Sequence, residues 1–167
     1  TVLLPMKKNT IKKKKRVSMD TYTRPFIKEV YDRVDGPSKQ ALVKHLEAEG
    51  HTIINSKEDY YADVTSEKDN VIYFSEVERK GQWDNDWPPH WKDLRIPGRK
   101  RRLVEKYKDQ VDNLNFYVLN RHYDKAWKVN GTQMTEGALK KAFGPRIPDG
   151  ETFYHIPYTE AQLIKLA

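Results

Sequence analysis

The sequence predicts an α/β fold: a single domain with a mixed central sheet flanked by helices. Three observations carry this. The segments run helix, helix, three strands, helix, then strands again, which interleaves the two types. The chain has 167 residues, enough for one domain with a core. Val71-Ile72-Tyr73-Phe74 begins as a buried strand begins, in β-branched and aromatic residues, and the chain then turns charged through Glu76, Glu78 and Lys80.

Residues 1–20 form an arm, and residues 21–167 form the domain. The net charge of +7 belongs to the arm: residues 1–16 hold seven lysines and arginines and no acid, which leaves 24 of the 31 basic residues against 24 acids. Lys12, Lys13, Lys14, Lys15 and Arg16 are the densest part of this run and suit a polyphosphate partner. Met6 and Met19 are each candidate starts, which would make the residues before them foreign to the natural chain.

A first helix is expected from Arg24 to Asp35, capped by Thr23, with Phe26, Ile27, Val30, Tyr31 and Val34 on one face. Gly36-Pro37 stops it, and Ser38 caps a second helix whose stripe is Ala41, Leu42, His45 and Leu46 and which Gly50 ends. His45 on that stripe reads as a satisfied core residue. Strands follow at Thr52–Ile54, near Tyr60–Thr65 and from Val71 to about Lys80. Residues 81–98 read as a loop. Its Trp83, Trp87 and Trp91 either stack on exposed bases or, the reading preferred, pin the loop to the domain. A basic helix runs from Arg99 to about Val111 with Leu103, Val104, Tyr107 and Val111 inward. Strands at Asn115–Leu119 and Lys125–Val129 end in an Asn130-Gly131 turn. A last strand spans Glu151–Ile156, and Thr159-Glu160-Ala161-Gln162 is a capping box that opens a short final helix.

Glu76, Glu78 and Lys80 share one parity, so on a strand they face one way, and burying unpaired charge there is costly. If Asp69-Asn70 is a two-residue turn, Lys68 pairs with Val71 and Asp63 lies opposite Glu76, with Cβ atoms roughly 5 Å apart. Glu78 is then about 6.6 Å further along the same face. Two carboxylates so placed suit Mg²⁺, which takes one or two carboxylates and retains waters.

Asp in one strand and Glu-x-Lys or a variant in the next, between two helices, resembles the PD-(D/E)xK nuclease superfamily. The likeness covers roughly residues 38–120, on a short and degenerate motif. Ala62 stands where the family name puts proline. The resemblance implies a restriction-endonuclease-like fold and hydrolysis of phosphodiester bonds by Asp63, Glu76, Glu78 and Lys80. It also implies Mg²⁺ or Mn²⁺ on Asp63, Glu76 and Glu78, and a 5′-phosphate product. Two registers stay open: Glu76-Val77-Glu78, which the hairpin geometry favours, and Glu78-Arg79-Lys80, which keeps a lysine to stabilise the nucleophile or the phosphorane. In this family the following helix borders the cleavage site, so Arg99, Lys100 and Arg101 are the expected phosphate contacts. The expected partner is nucleic acid, DNA before RNA, in a bacterial or phage-infected cytoplasm, with no membrane partner and a homodimer left open. The rival readings are a non-catalytic nucleic-acid-binding protein on the same fold and an assembly protein whose acids only form salt bridges.

Other chemistries lack their motifs. There is no cysteine, hence no disulfide or thiolate site. There is no P-loop, no Gly-x-Ser-x-Gly elbow, and no histidine pair at zinc spacing.

Overall fold

The computed structural model describes residues 28–55, 62–145, 147 and 150–167, with the backbone alone for 28–35. Thr23, Tyr60, Tyr61 and the basic arm, Lys12 to Arg16 included, lie outside the described residues. So do the side chains of the first expected helix face.

A mixed six-stranded sheet organises the chain. Helix α1 (Lys28–Ala48) leads into β1 (Thr52–Asn55), β2 (Val64–Lys68) and β3 (Val71–Arg79). After β4 (Asp93–Pro97) and the short helix α2 (Arg101–Lys106) come β5 (Leu114–Leu119), β6 (Lys125–Asn130), β7 (Leu139–Lys141), β8 (Thr152–Pro157) and β9 (Gln162–Lys165). The large sheet has the order β1-β2-β3-β5-β6-β9, and β4-β8-β7 form a second sheet. Within the large sheet β3 and β5 pair in parallel and the other neighbours are antiparallel.

Strand alternation splits the core into two layers. On one face Val64, Tyr117, Leu119 and Ala126 pack with Leu42 and Leu46 of α1. Full burial of each leucine contributes roughly 1.5–3 kcal/mol. On the other face Phe116, Val118, Trp127 and Val129 pack with Leu94 and Ile96 of β4, Tyr154 and Ile156 of β8, and Leu103 of α2. The molecule is therefore α/β with a mixed central sheet. Its second flank is a small sheet plus one short helix.

Several elements differ from the sequence reading. The two expected helices are one: α1 runs through Gly36 and Pro37. Proline's fixed φ is itself helical, so the chain passes at the cost of one hydrogen bond and local crowding. The helix does end at Gly50, whose φ is +98°, and the His51 N–H donates to the Leu46 carbonyl at 2.9 Å. The loop 81–98 contains β4. Trp83 in that loop is buried among Trp87 and Trp127, so it pins the loop and does not stack on bases. The basic helix is reduced to α2 between two 3₁₀ turns. The capping box at Thr159 yields only a 3₁₀ turn, and Gln162–Lys165 pairs with β6 instead. A helix of that length is marginal, whereas the open edge of β6 offers a full row of hydrogen bonds. Among the described residues no helix is long and apolar enough to cross a membrane.

Candidate active site

The β2–β3 hairpin positions the acids. Asp69 and Asn70 both have positive φ, 53° and 67°, the conformation of a two-residue type I′ turn. Lys68 pairs with Val71 and the ladder runs without a slip to Val64 opposite Ser75. One step on, Asp63 meets Glu76. The Asp63 N–H donates to Glu76 Oε1 at 3.0 Å, and the Val77 N–H donates to Asp63 Oδ2 at 3.0 Å. The two carboxylates are thus locked to each other's strand on the face that looks toward β4 and α2.

A lysine completes the pair. Lys100 Nζ lies 2.5 Å from Glu76 Oε2, and the Glu76 side chain is only 5% exposed. Gly98 brings this lysine in: a Cβ there would lie 2.4 Å from Thr152 Oγ1, so only glycine lets the 98–100 turn sit against β8. Lys100, expected as a phosphate contact, therefore points inward at the acids. Arg99 is exposed. Arg101 is exposed too and pairs with Glu136 at 3.1 Å.

The remaining candidates stand further along β3. Glu78 faces the same crevice as Glu76, beside Ile96, Lys100, Phe116 and Val118. Its Oε2 is buried and lies 3.1 Å from Lys80 Nζ, but without the alignment of a hydrogen bond. Lys80 follows the strand and also donates to the Arg95 carbonyl at 3.1 Å. The expected convergence of Asp63, Glu76 and Glu78 is not met: among the described residues no three acids or histidines assemble into a metal cluster. Two residues of strand rise, about 6.6 Å, hold Glu78 off from the pair. His45 is buried, yet its Nδ1 has no hydrogen-bond partner among the described residues, so it is not the satisfied histidine expected. Burial, with help from Lys128 and against Glu49, lowers its pKa.

Electrostatics separate the paired acids. Burial, then the Glu76 charge, pushes the Asp63 carboxyl up to about 7, against the pull of Lys100. Burial also acts to raise Glu76, but the Lys100 ammonium, by charge and hydrogen bond, outweighs it and holds Glu76 below its ordinary range. Burial acts to lower Lys100, and Glu76 and Asp63 more than offset it, so the lysine stays charged.

These residues fit a divalent cation. Asp63 and Glu76 are two oxygen donors on adjacent strands, the number Mg²⁺ commonly takes from protein. The Lys100 ammonium pairs with Glu76, so two buried carboxylates share one lysine. The buried Glu78 Oε2 is an acceptor without a hydrogen-bond donor among the described residues.

No protein-family model matches the chain, and no curated protein does. Among solved structures, a nuclease from a fusselovirus aligns over 85% of this chain and 90% of its own, at 14% identity and a TM-score of 0.43. A likeness at that score establishes neither family nor activity.

Sequence reasoning missed the contact between Lys100 and Glu76. They are 24 residues apart and belong to different layers, so no local spacing signals it.

Proposed function

We propose that this protein is a divalent-metal-dependent nuclease of the PD-(D/E)xK type that hydrolyses phosphodiester bonds in nucleic acid, DNA before RNA. The observation that carries the reading is the locked pair of Asp63 and Glu76 with an ammonium on Glu76. Asp63 and Glu76 would hold Mg²⁺ or Mn²⁺. A bound cation supplies Lewis-acid stabilisation of the phosphoryl oxygens and a more acidic water. Lys100, half-buried and charged, stabilises negative charge that grows at the phosphate in the transition state. Glu78 accepts the proton of the attacking water through its buried Oε2. Lys80 orients Glu78. Arg99 and Arg101 bind the backbone on either side.

Plasmid and single-stranded DNA incubated with Mg²⁺ or Mn²⁺, against EDTA, test this directly. Cleavage should require metal and fall by about a thousand-fold in Asp63→Asn and Glu76→Gln, in line with the loss of a principal electrostatic group. Cutting that persists in EDTA, or that ignores both substitutions, would end the proposal.

One observation favours a second reading. The ion pair of Lys100 and Glu76 already neutralises half of the acid pair without a metal. On that reading the site is structural, and the protein binds nucleic acid without cutting it. Salt-sensitive binding in EDTA together with no cleavage in either metal would select it.

A further inference from the structure

The small sheet has two chemically opposed faces. Leu94, Ile96, Tyr154 and Ile156 point inward and are buried. The alternate residues point outward: Arg95 and Lys140 are exposed, and Phe153 and His155 are half-buried. Pairing sets His155 opposite Arg95 and sets Phe153 between Pro97 on β4 and Lys140 on β7. The result is an apolar plate of ring and proline, edged by two cations and an imidazole. Lys140 and His155 also line an open groove of about 340 Å³, at the lower end of the range for ligand clefts. Asp93 and Glu160 stand in the same groove, so an anion is directed away from them and toward Lys140.

This face and the acid site lie on opposite sides of one strand. β4 is shared: Ile96 lines the crevice of Glu76 and Glu78, and the Arg95 carbonyl accepts from Lys80. At the other end the 98–100 turn that carries Lys100 packs on Thr152 of β8.

We propose that the outer face of β4-β8-β7 is a platform for single-stranded nucleic acid, with a base stacked on Phe153 and phosphates on Arg95 and Lys140. The partner class rests on the nuclease reading. The preference for single strands comes from the ring: a base has a free face to stack only when it is out of a duplex, and stacking is tolerant of sequence. The cations alone would take either form.

The test uses the full chain in EDTA, so that nothing is cut. Fluorescence anisotropy follows a labelled oligothymidylate and a labelled duplex over a range of salt. Phe153→Ala should bind the single strand about ten-fold more weakly, the loss of one stacked base, and leave the duplex unchanged. Because stacking is not electrostatic, the loss should persist at high salt. Phe153→Trp should restore binding, which separates stacking from misfolding. Arg95→Ala and Lys140→Ala should each lower the single-strand salt slope by about 0.7. Wild-type affinity in Phe153→Ala, or equal weakening of single strand and duplex, overturns the platform. The two proposals fail separately. Binding through Phe153 with no metal-dependent cutting sinks the nuclease and leaves the platform. Cutting through Asp63 with a silent Phe153→Ala does the reverse.

Discussion

Asp63 and Glu76 carry the same chemical group on neighbouring strands, yet their proton affinities move in opposite directions. Lys100 favours one of them, and burial beside a negative neighbour penalises the other. This has a consequence for stability. Asp63 is raised in the folded state from an ordinary 3.8 to about 7, so between those values the native state holds a proton that the unfolded chain has lost. Stability of the metal-free protein should therefore fall as pH rises from about 4 to about 7, and level off above. Glu76 acts in the opposite sense and only in acid, below its unfolded value. Melting curves at pH 5 and pH 8 check the first window. Asp63→Asn should flatten the pH dependence and raise the melting temperature at pH 8 while removing cleavage. Mg²⁺ should stabilise the wild type at pH 8 and not Asp63→Asn, because a ligand stabilises only the state that binds it. Lys100→Met should reduce turnover by about a hundred-fold or more, the scale of a lost electrostatic donor. Lys80→Met, two residues beyond Glu78 and turned to the Arg95 carbonyl, should cost less than ten-fold by the same scale. The reverse order would restore Glu78-Arg79-Lys80 as the working register.

At the scale of elements, the hairpin decides whether the acids meet at all. A slip of one residue would turn Glu76 to the α1 face, since side chains alternate. The turn that prevents the slip puts two non-glycine residues at positive φ. Asn70→Gly should be neutral or stabilising. Asn70→Ala should cost about 1–2 kcal/mol, the price of a left-handed residue with a Cβ and no side-chain amide. That is about 2–4 °C per kcal/mol in melting temperature for a chain of this size. Helix α1 offers a separate test. Pro37 lies in its interior, where proline costs about 3 kcal/mol. Pro37→Ala should raise the denaturant midpoint without a change in slope, and an unchanged midpoint would show that residues 28–36 add nothing to the fold.

At the scale of the molecule, charge is distributed unevenly along the chain. The excess of seven positive charges sits in residues 7–16, outside the described residues, and the remainder is neutral. Each phosphate neutralised contributes about 0.9 to the logarithmic salt slope on duplex DNA. Deletion of residues 1–18 should lower that slope by several units if most of these charges engage phosphate, and lower affinity without altering sequence preference. Cleavage at saturating substrate should survive, because an arm that binds ground and transition states equally does not change turnover. An unchanged slope would leave binding to Arg99, Arg101 and the outer face of the small sheet.

The sequence by itself determined what local rules govern. The Asp69-Asn70 turn and the parity of β3 were enough to set Asp63 opposite Glu76, because strand alternation and a two-residue turn leave no freedom of register. The mixed sheet and the burial of Trp83 were legible for similar reasons, from pattern and residue type. Tertiary structure decided the rest. It carried α1 through Pro37 and drew residues 162–165 away from their capping box onto the edge of β6. It also turned Lys100 from the surface onto Glu76, across 24 residues of chain. In each case the deciding energy lies between segments: an unpaired strand edge, a buried leucine stripe, a buried carboxylate in want of a cation. Such terms have no signature in local spacing, because the partner that supplies them is brought near only by the fold.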